Sequence, residues 1–160
     1  MAIKVGDKVP DVKLKTMTAD GIKDISTGEL FGGKRVVLFA LPGAFTPTCS
    51  AKHLPGFVEQ ADQLRGKGVD RIVCLSVNDA FVMGAWANAQ GAGEKVLLVA
   101  DGNAEFSNAV GLAFDGSGFG MGTRSQRYAM IVQDGVVKQL FVEKPREFKV
   151  SSAEAVLAAL

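Results

Sequence analysis

The chain has 160 residues, 48% of them hydrophobic, and a formal net charge of +1. That length and apolar content suit one domain over residues 1–160 with a real core. The near-neutral charge gives no electrostatic footing for nucleic acid, and no apolar run approaches the ~20 residues that a membrane helix needs.

Met1 to Asp7 lacks an apolar signal region, and two cysteines do not make a disulfide framework. A cytoplasmic, reducing location is therefore expected, with any disulfide transient. Val12 to Thr16 alternates in character and predicts a half-exposed strand. Thr18 to Lys34 is polar and glycine-rich and predicts a hairpin or loop. Arg35 to Leu41 is apolar and predicts a buried strand. A helix is expected from the Cys49 turn to about Leu64, kinked at Pro55-Gly56 and ended by Gly66 and Gly68.

Ile72 to Val77 predicts another buried strand. Asn78 or Asp79 then caps a helix from Ala80 to about Gln90. Val96 to Ala100 predicts a third, and Asp101 to Asn103 start a short helix ending near Gly111. A mobile loop is expected over Asp115 to Gly122. Tyr128 to Gln133 and Val136 to Val142 flank Asp134-Gly135, a strong two-residue hairpin signal. Ser151 with Glu154 forms a capping-box pattern opening a helix from Ser152 to Leu160. Strands alternating with helices, then a hairpin and a helix, predict an α/β fold with a mixed sheet.

The stretch Pro42-Gly43-Ala44-Phe45-Thr46-Pro47-Thr48-Cys49 carries the chemistry. Thr46 suits an N-cap and Pro47 the first helical position, which puts Cys49 in the first turn. Unpaired N–H groups and the helix dipole there favour a thiolate. Cys74, inside an apolar strand, reads as core. His53 lies one turn after Cys49, and three readings stay open. It is a general base for Cys49, a shared metal ligand, or a hydrogen-bonded structural residue. Gly116 to Gly122 lacks the context and spacing of a phosphate-binding fingerprint. Arg124 and Arg127 open the last hairpin, where an arginine fork can aim at an anion.

These residues resemble the peroxiredoxins, in particular their type II or five-like subfamily. Pro42, Thr46 and Cys49 match the family pattern P-x-x-x-T-x-x-C. His53-Leu54-Pro55-Gly56-Phe57, Cys74 to Asp79 and Arg127 to Met130 look like the same subfamily. The resemblance implies a thioredoxin-like fold, a central mixed sheet flanked by helices. It implies thiol-dependent reduction of hydrogen peroxide and alkyl hydroperoxides, with no cofactor or metal. Cys49 would be the peroxidatic cysteine, Thr46 would bond the peroxide, and Pro42 would shield the pocket. Arg127, with Arg124 as runner-up, would donate to the thiolate and the peroxide oxygens. Where some members carry a resolving cysteine, this chain reads Phe148-Lys149-Val150-Ser151-Ser152. The chain thus looks like members that use an external thiol, glutaredoxin with glutathione or thioredoxin, and a homodimer is expected.

Thiolate fraction alone does not explain fast peroxide attack. Lowering a cysteine pKa from about 8.5 to about 6 raises the thiolate fraction at pH 7 about 30-fold. Reduced nucleophilicity returns about 10-fold of that. Donors aimed at the peroxide oxygens must supply most of the rest. A thioredoxin-type oxidoreductase would need Cys-x-x-Cys, and Thr46 occupies the first position. A Cys–His hydrolase would need a group to orient His53. A redox sensor would react with peroxide stoichiometrically, without turnover.

Overall fold

The computed structural model describes all 160 residues. Its strands and helices run β1 (Lys13–Thr18), β2 (Gly21–Ser26), α1 (Thr27–Phe31), β3 (Arg35–Leu41), α2 (Leu54–Glu59), α3 (Ala61–Gly66) and β4 (Arg71–Ser76). There follow α4 (Ala80–Gln90), β5 (Leu97–Ala100), α5 (Glu105–Ala109), β6 (Ala113–Asp115), β7 (Thr123–Ser125), β8 (Tyr128–Gln133), β9 (Val136–Val142) and α6 (Ala153–Ala159).

Seven strands form one sheet in the order β2-β1-β5-β4-β3-β8-β9. The central β3, β4 and β5 are parallel, and β1 and β8 join antiparallel on either side. Side chains alternate along β3, so its two faces serve two cores. Val37, Phe39 and Leu41 face a layer with Leu54, Phe57, Leu64, Met83, Trp86 and Val156 from α2, α3, α4 and α6. Val36, Leu38 and Ala40 face Leu30, Phe31, Phe106 and Val110. Burial on both faces explains why β3 and β4 read as unbroken apolar runs. This is the thioredoxin-like arrangement that the resemblance implies.

Four local expectations need correction. The polar stretch after Thr18 contains β2 and also α1, whose capping box pairs Ser26 with Glu29. The Cys49 helix departs from regularity before Pro55, not at it. Residues Cys49–His53 form a wide π turn in which Leu54 N donates to Cys49 O. Pro55 has no N–H and its ring crowds the carbonyl four residues back, and the wider turn accommodates it. The α6 cap is Ser152, whose hydroxyl accepts from Ala155 N, while Ser151 is used elsewhere. The helix expected from Asp101 starts at Glu105, because Ala104 has φ +57°. Asp101 still fixes that helix, accepting from Phe106 N and Ser107 N.

The glycine-rich segment, with a 3-10 turn at Ser117–Phe119, connects the paired strands β6 and β7. Asp134 and Gly135 have φ +47° and +79°, the left-handed pair that a type I′ hairpin turn needs.

Candidate active site

Strand register brings the site together. Parallel β3 and β4 end at the same edge, where crevices of α/β sheets form. Tyr128 of antiparallel β8 pairs with Ala40, so Arg127, the residue just before β8, lies beside the end of β3. Val142 of β9 pairs with Tyr128, which puts Glu143 alongside Arg127, and Glu143 N donates to Arg127 O over 3.0 Å.

The Pro42–Thr46 loop is pinned from three directions. Arg124 Nη1 donates to Pro42 O at 3.3 Å, and its Nε to Met121 O at 2.9 Å. Ala44 N donates to Asn78 Oδ1 at 3.0 Å, an oxygen that also accepts from Ser76 at 2.6 Å. Thr46 Oγ1 donates to Gly43 O at 2.6 Å. The hydroxyl therefore does not cap helix N–H groups as expected, although Thr46 does precede the first helical residue and its carbonyl accepts from Ser50 N. Its lone pairs stay available as acceptors. Phe45 takes φ +63°, a sparsely populated backbone for an aromatic residue. A Cβ on Gly43 would lie 2.7 Å from Arg124 Nη1, so a side chain there would displace the Arg124 fork.

Cys49 is fully buried, in the first turn as expected. Arg127 Nη2 donates to its Sγ at 3.1 Å. Arg127, not Arg124, is thus the arginine at the thiol. Arg127 Nη1 lies 2.8 Å from His53 Nδ1, and His53 Nε2 lies 2.9 Å from Ser151 O. Guanidinium can only donate and a carbonyl can only accept, so Nδ1 is the acceptor and Nε2 carries the proton. The ring is neutral. Burial above all, then the Arg127 charge, lowers its pKa to about 3, against the opposing effect of the Ser151 bond. Both nitrogens are committed to Arg127 and Ser151, so neither is free to act as a base on Cys49 or to bind a metal. Phe39 and Phe148 flank the ring at 4.9 and 5.0 Å between centroids.

Glu143 escaped the sequence reading. Its Oε2 accepts from Lys149 N, Val150 N, Ser151 N and Ser151 Oγ at 2.7–2.9 Å. Burial pushes this carboxyl up, yet the bonds from Ser151, Lys149 and Val150 outweigh it and hold it below the ordinary range. A glutamate closing an apolar strand is the one signal the sequence carried. Asn78 was read only as a helix cap, and Asp79 is that cap.

A cleft of about 590 Å³ reaches the Arg127 side of the site, lined by Pro42, Thr48, Phe114, Phe119, Arg127 and Phe148 among others, with the buried Cys49 behind that lining. Cys74 is buried in β4 against the same core layer as Cys49. Burial, then the nearness of Cys49, pushes its thiol well up, against the opposing charge of Arg127. No group of three or more His, Cys, Asp or Glu side chains gathers in a metal-binding arrangement.

The redoxin family profile matches residues 4–157. The rice protein peroxiredoxin-2E-2, chloroplastic, is 54% identical, covering 99% of this chain and 72% of the relative. The chain belongs to the peroxiredoxins. Peroxiredoxin-2B of Arabidopsis thaliana is 47% identical over 99% of this chain and 98% of its own. The crystal structure of reduced Prx3 from Vibrio vulnificus in complex with hydrogen peroxide superposes with a TM-score of 0.95. It is 55% identical and covers 98% of each chain. As a peroxiredoxin the chain is a thiol peroxidase. Of its two free thiols, Cys49 is the one with a guanidinium donor, and that arginine lines the cleft.

Proposed function

We propose that Cys49 reduces hydrogen peroxide and alkyl hydroperoxides and is itself regenerated by an external thiol. One observation carries the reading: the Arg127 guanidinium sits 3.1 Å from Cys49 Sγ with a cleft beside it. The thiolate attacks one peroxide oxygen, an S–O bond forms and the O–O bond breaks. The departing oxygen leaves with the electron pair and a proton as water or alcohol, and Cys49 becomes a sulfenic acid. Arg127 stabilises negative charge first on sulfur and then on the separating oxygens. Thr46, its proton committed to Gly43 O, accepts from the peroxide O–H and orients it. Pro42 shields the attacked oxygen from bulk water. The aromatic lining of Phe114, Phe119 and Phe148 favours an alkyl arm on the substrate.

The sulfenic acid then condenses with glutathione or a thioredoxin-type thiol, releasing water. A second thiol displaces Cys49 from that mixed disulfide. Glutaredoxin with glutathione, or thioredoxin, fits this need, since Cys74 is buried and no other cysteine exists. Two unpaired thiols suit a reducing compartment such as the cytoplasm. We further propose a homodimer in which Phe45 and Phe81, 57% and 67% exposed, are covered.

Peroxide consumption with each reductant tests the reading. Cys49→Ser is expected to abolish turnover and Cys74→Ser to leave most of it. Equal loss in both variants would reverse the assignment.

A further inference from the structure

We propose that His53 and Glu143 are positioning residues that hold the Arg127 guanidinium against Cys49 through a closed ring of hydrogen bonds. The inference rests on the reading of Cys49 as the reacting thiol.

The ring can be walked bond by bond. Arg127 Nη1 donates to His53 Nδ1 at 2.8 Å, and His53 Nε2 donates to Ser151 O at 2.9 Å. Ser151 N and Oγ donate to Glu143 Oε2 at 2.9 and 2.7 Å. Glu143 N donates to Arg127 O at 3.0 Å, which returns to the residue where the path began. One residue, Arg127, is thereby held at its backbone and at its fork. Nη2 is left to face the sulfur.

An arginine side chain has several rotatable bonds, and fixing them during reaction would cost entropy. The ring fixes them beforehand. Polarity makes it specific. Arg127 needs an acceptor at Nδ1, and that acceptor exists only while the proton sits on Nε2. The Ser151 carbonyl enforces that tautomer, and Glu143 fixes the carbonyl by gathering the neighbouring donors. Phe148 closes the last side, its ring 5.8 Å from the guanidinium carbon. A merely structural histidine would need a partner, but it would not need one acceptor and one donor in this order.

Two isosteres separate the halves of the histidine. In His53→Asn the amide oxygen replaces the Nδ1 acceptor, and in His53→Gln the amide nitrogen replaces the Nε2 donor. Stopped-flow measures peroxide attack, and iodoacetamide alkylation at the same pH reads thiol reactivity without an oriented peroxide. We expect His53→Gln to lose roughly 10²-fold in peroxide rate, the scale of an ångström's misplacement. His53→Asn should recover most of that loss, while alkylation changes by much less in both. Glu143→Gln should fall between them. Equal peroxide losses in Asn and Gln, or losses matched by alkylation, overturn the proposal. Loss of the Cys49 reading would look different, with mass spectrometry finding the oxidised sulfur on Cys74.

If the variants fail to fold, the unaltered protein decides. His53 is the only histidine, so nitrogen NMR of labelled imidazole reports it alone. A neutral Nε2–H ring whose Nδ1 resonance moves when Cys49 is oxidised supports the proposal. An Nδ1–H tautomer, or a resonance indifferent to Cys49, overturns it.

Discussion

Arg127 and Cys49 meet through a 3.1 Å donor contact that spans 78 residues of sequence. Its partner in sequence, Arg124, holds the Pro42 carbonyl instead. Arg127→Gln is expected to slow peroxide attack by on the order of 10²–10³. Arg124→Gln should cost far less, because it loosens a loop without removing a charge from the thiol. Stopped-flow oxidation of the two variants compares them directly, and a larger loss in Arg124→Gln would exchange their roles.

Thr46 gives a second test. Its hydroxyl proton is committed to Gly43 O, so Thr46 serves a peroxide only as an acceptor. Thr46→Val should slow peroxide attack by on the order of 10²-fold, and Thr46→Ser should retain most of the rate. A Thr46→Val variant as fast as the unaltered protein would remove Thr46 from the chemistry.

His53 makes stability depend on pH. Its pKa falls from 6.5 to about 3 on folding, first through burial and then through Arg127. Below pH 6.5 the unfolded chain takes up a proton there, and the folded chain does not until near pH 3. The unfolded state binds the extra proton, so stability falls as pH falls through that window. The loss is about 2 kcal/mol between pH 7 and pH 5. Urea melts at the two values should show a shallower loss in His53→Asn than in the unaltered protein. Parallel slopes would assign the pH dependence elsewhere.

The fate of oxidised Cys49 follows from where Cys74 lies. Cys74 is fully buried in β4, so a disulfide would require its thiol to leave the core. Peroxide without reductant is therefore expected to give sulfenic and then sulfinic acid on Cys49. Added glutathione should trap a mixed disulfide there. Mass spectrometry decides, and a dominant Cys49–Cys74 bridge would refute the external-thiol reading.

The dimer is testable at two side chains. Met83 and Trp86 of α4 turn inward and are buried, so the apolar excess expected of that helix narrows to Phe81; Phe45 of the active-site loop, also exposed, has its ring 6.4 Å from Trp86 of the same helix. Phe81→Lys and Phe45→Lys should shift sedimentation toward monomer. A monomer in the unaltered protein at micromolar concentrations would contradict the proposal.

Elements whose pattern is local were legible in the sequence. The apolar runs of β3 and β4, the Asp79 cap of α4 and the Asp134-Gly135 turn each carry their own physical signature. The first-turn position of Cys49 was legible for the same reason, whereas the roles given to Thr46 and Pro42 came from the resemblance. What stayed hidden depends on register between distant strands. Nothing near Glu143 announces that β9 will set it beside Arg127, or that its carboxylate will gather the 149–151 backbone. The choice between Arg124 and Arg127 likewise rests on which residue precedes the pairing of β8 with β3. α1 was missed because its five residues are too few for helical periodicity to show.

The wide turn from Cys49 to His53 bears on how this sequence can diverge. Leu54 reaches back five residues to Cys49, one more than a regular helix allows. Removing a single residue inside the turn would restore ordinary helical bonding and yet swing one end about 100° against the other. Cys49 and His53 could then no longer both address Arg127. Exchanges of side chain at Ser50, Ala51 or Lys52 leave that phase intact, whereas a deletion does not. The spacing between the cysteine and the histidine should accordingly be far less variable than the residues that fill it.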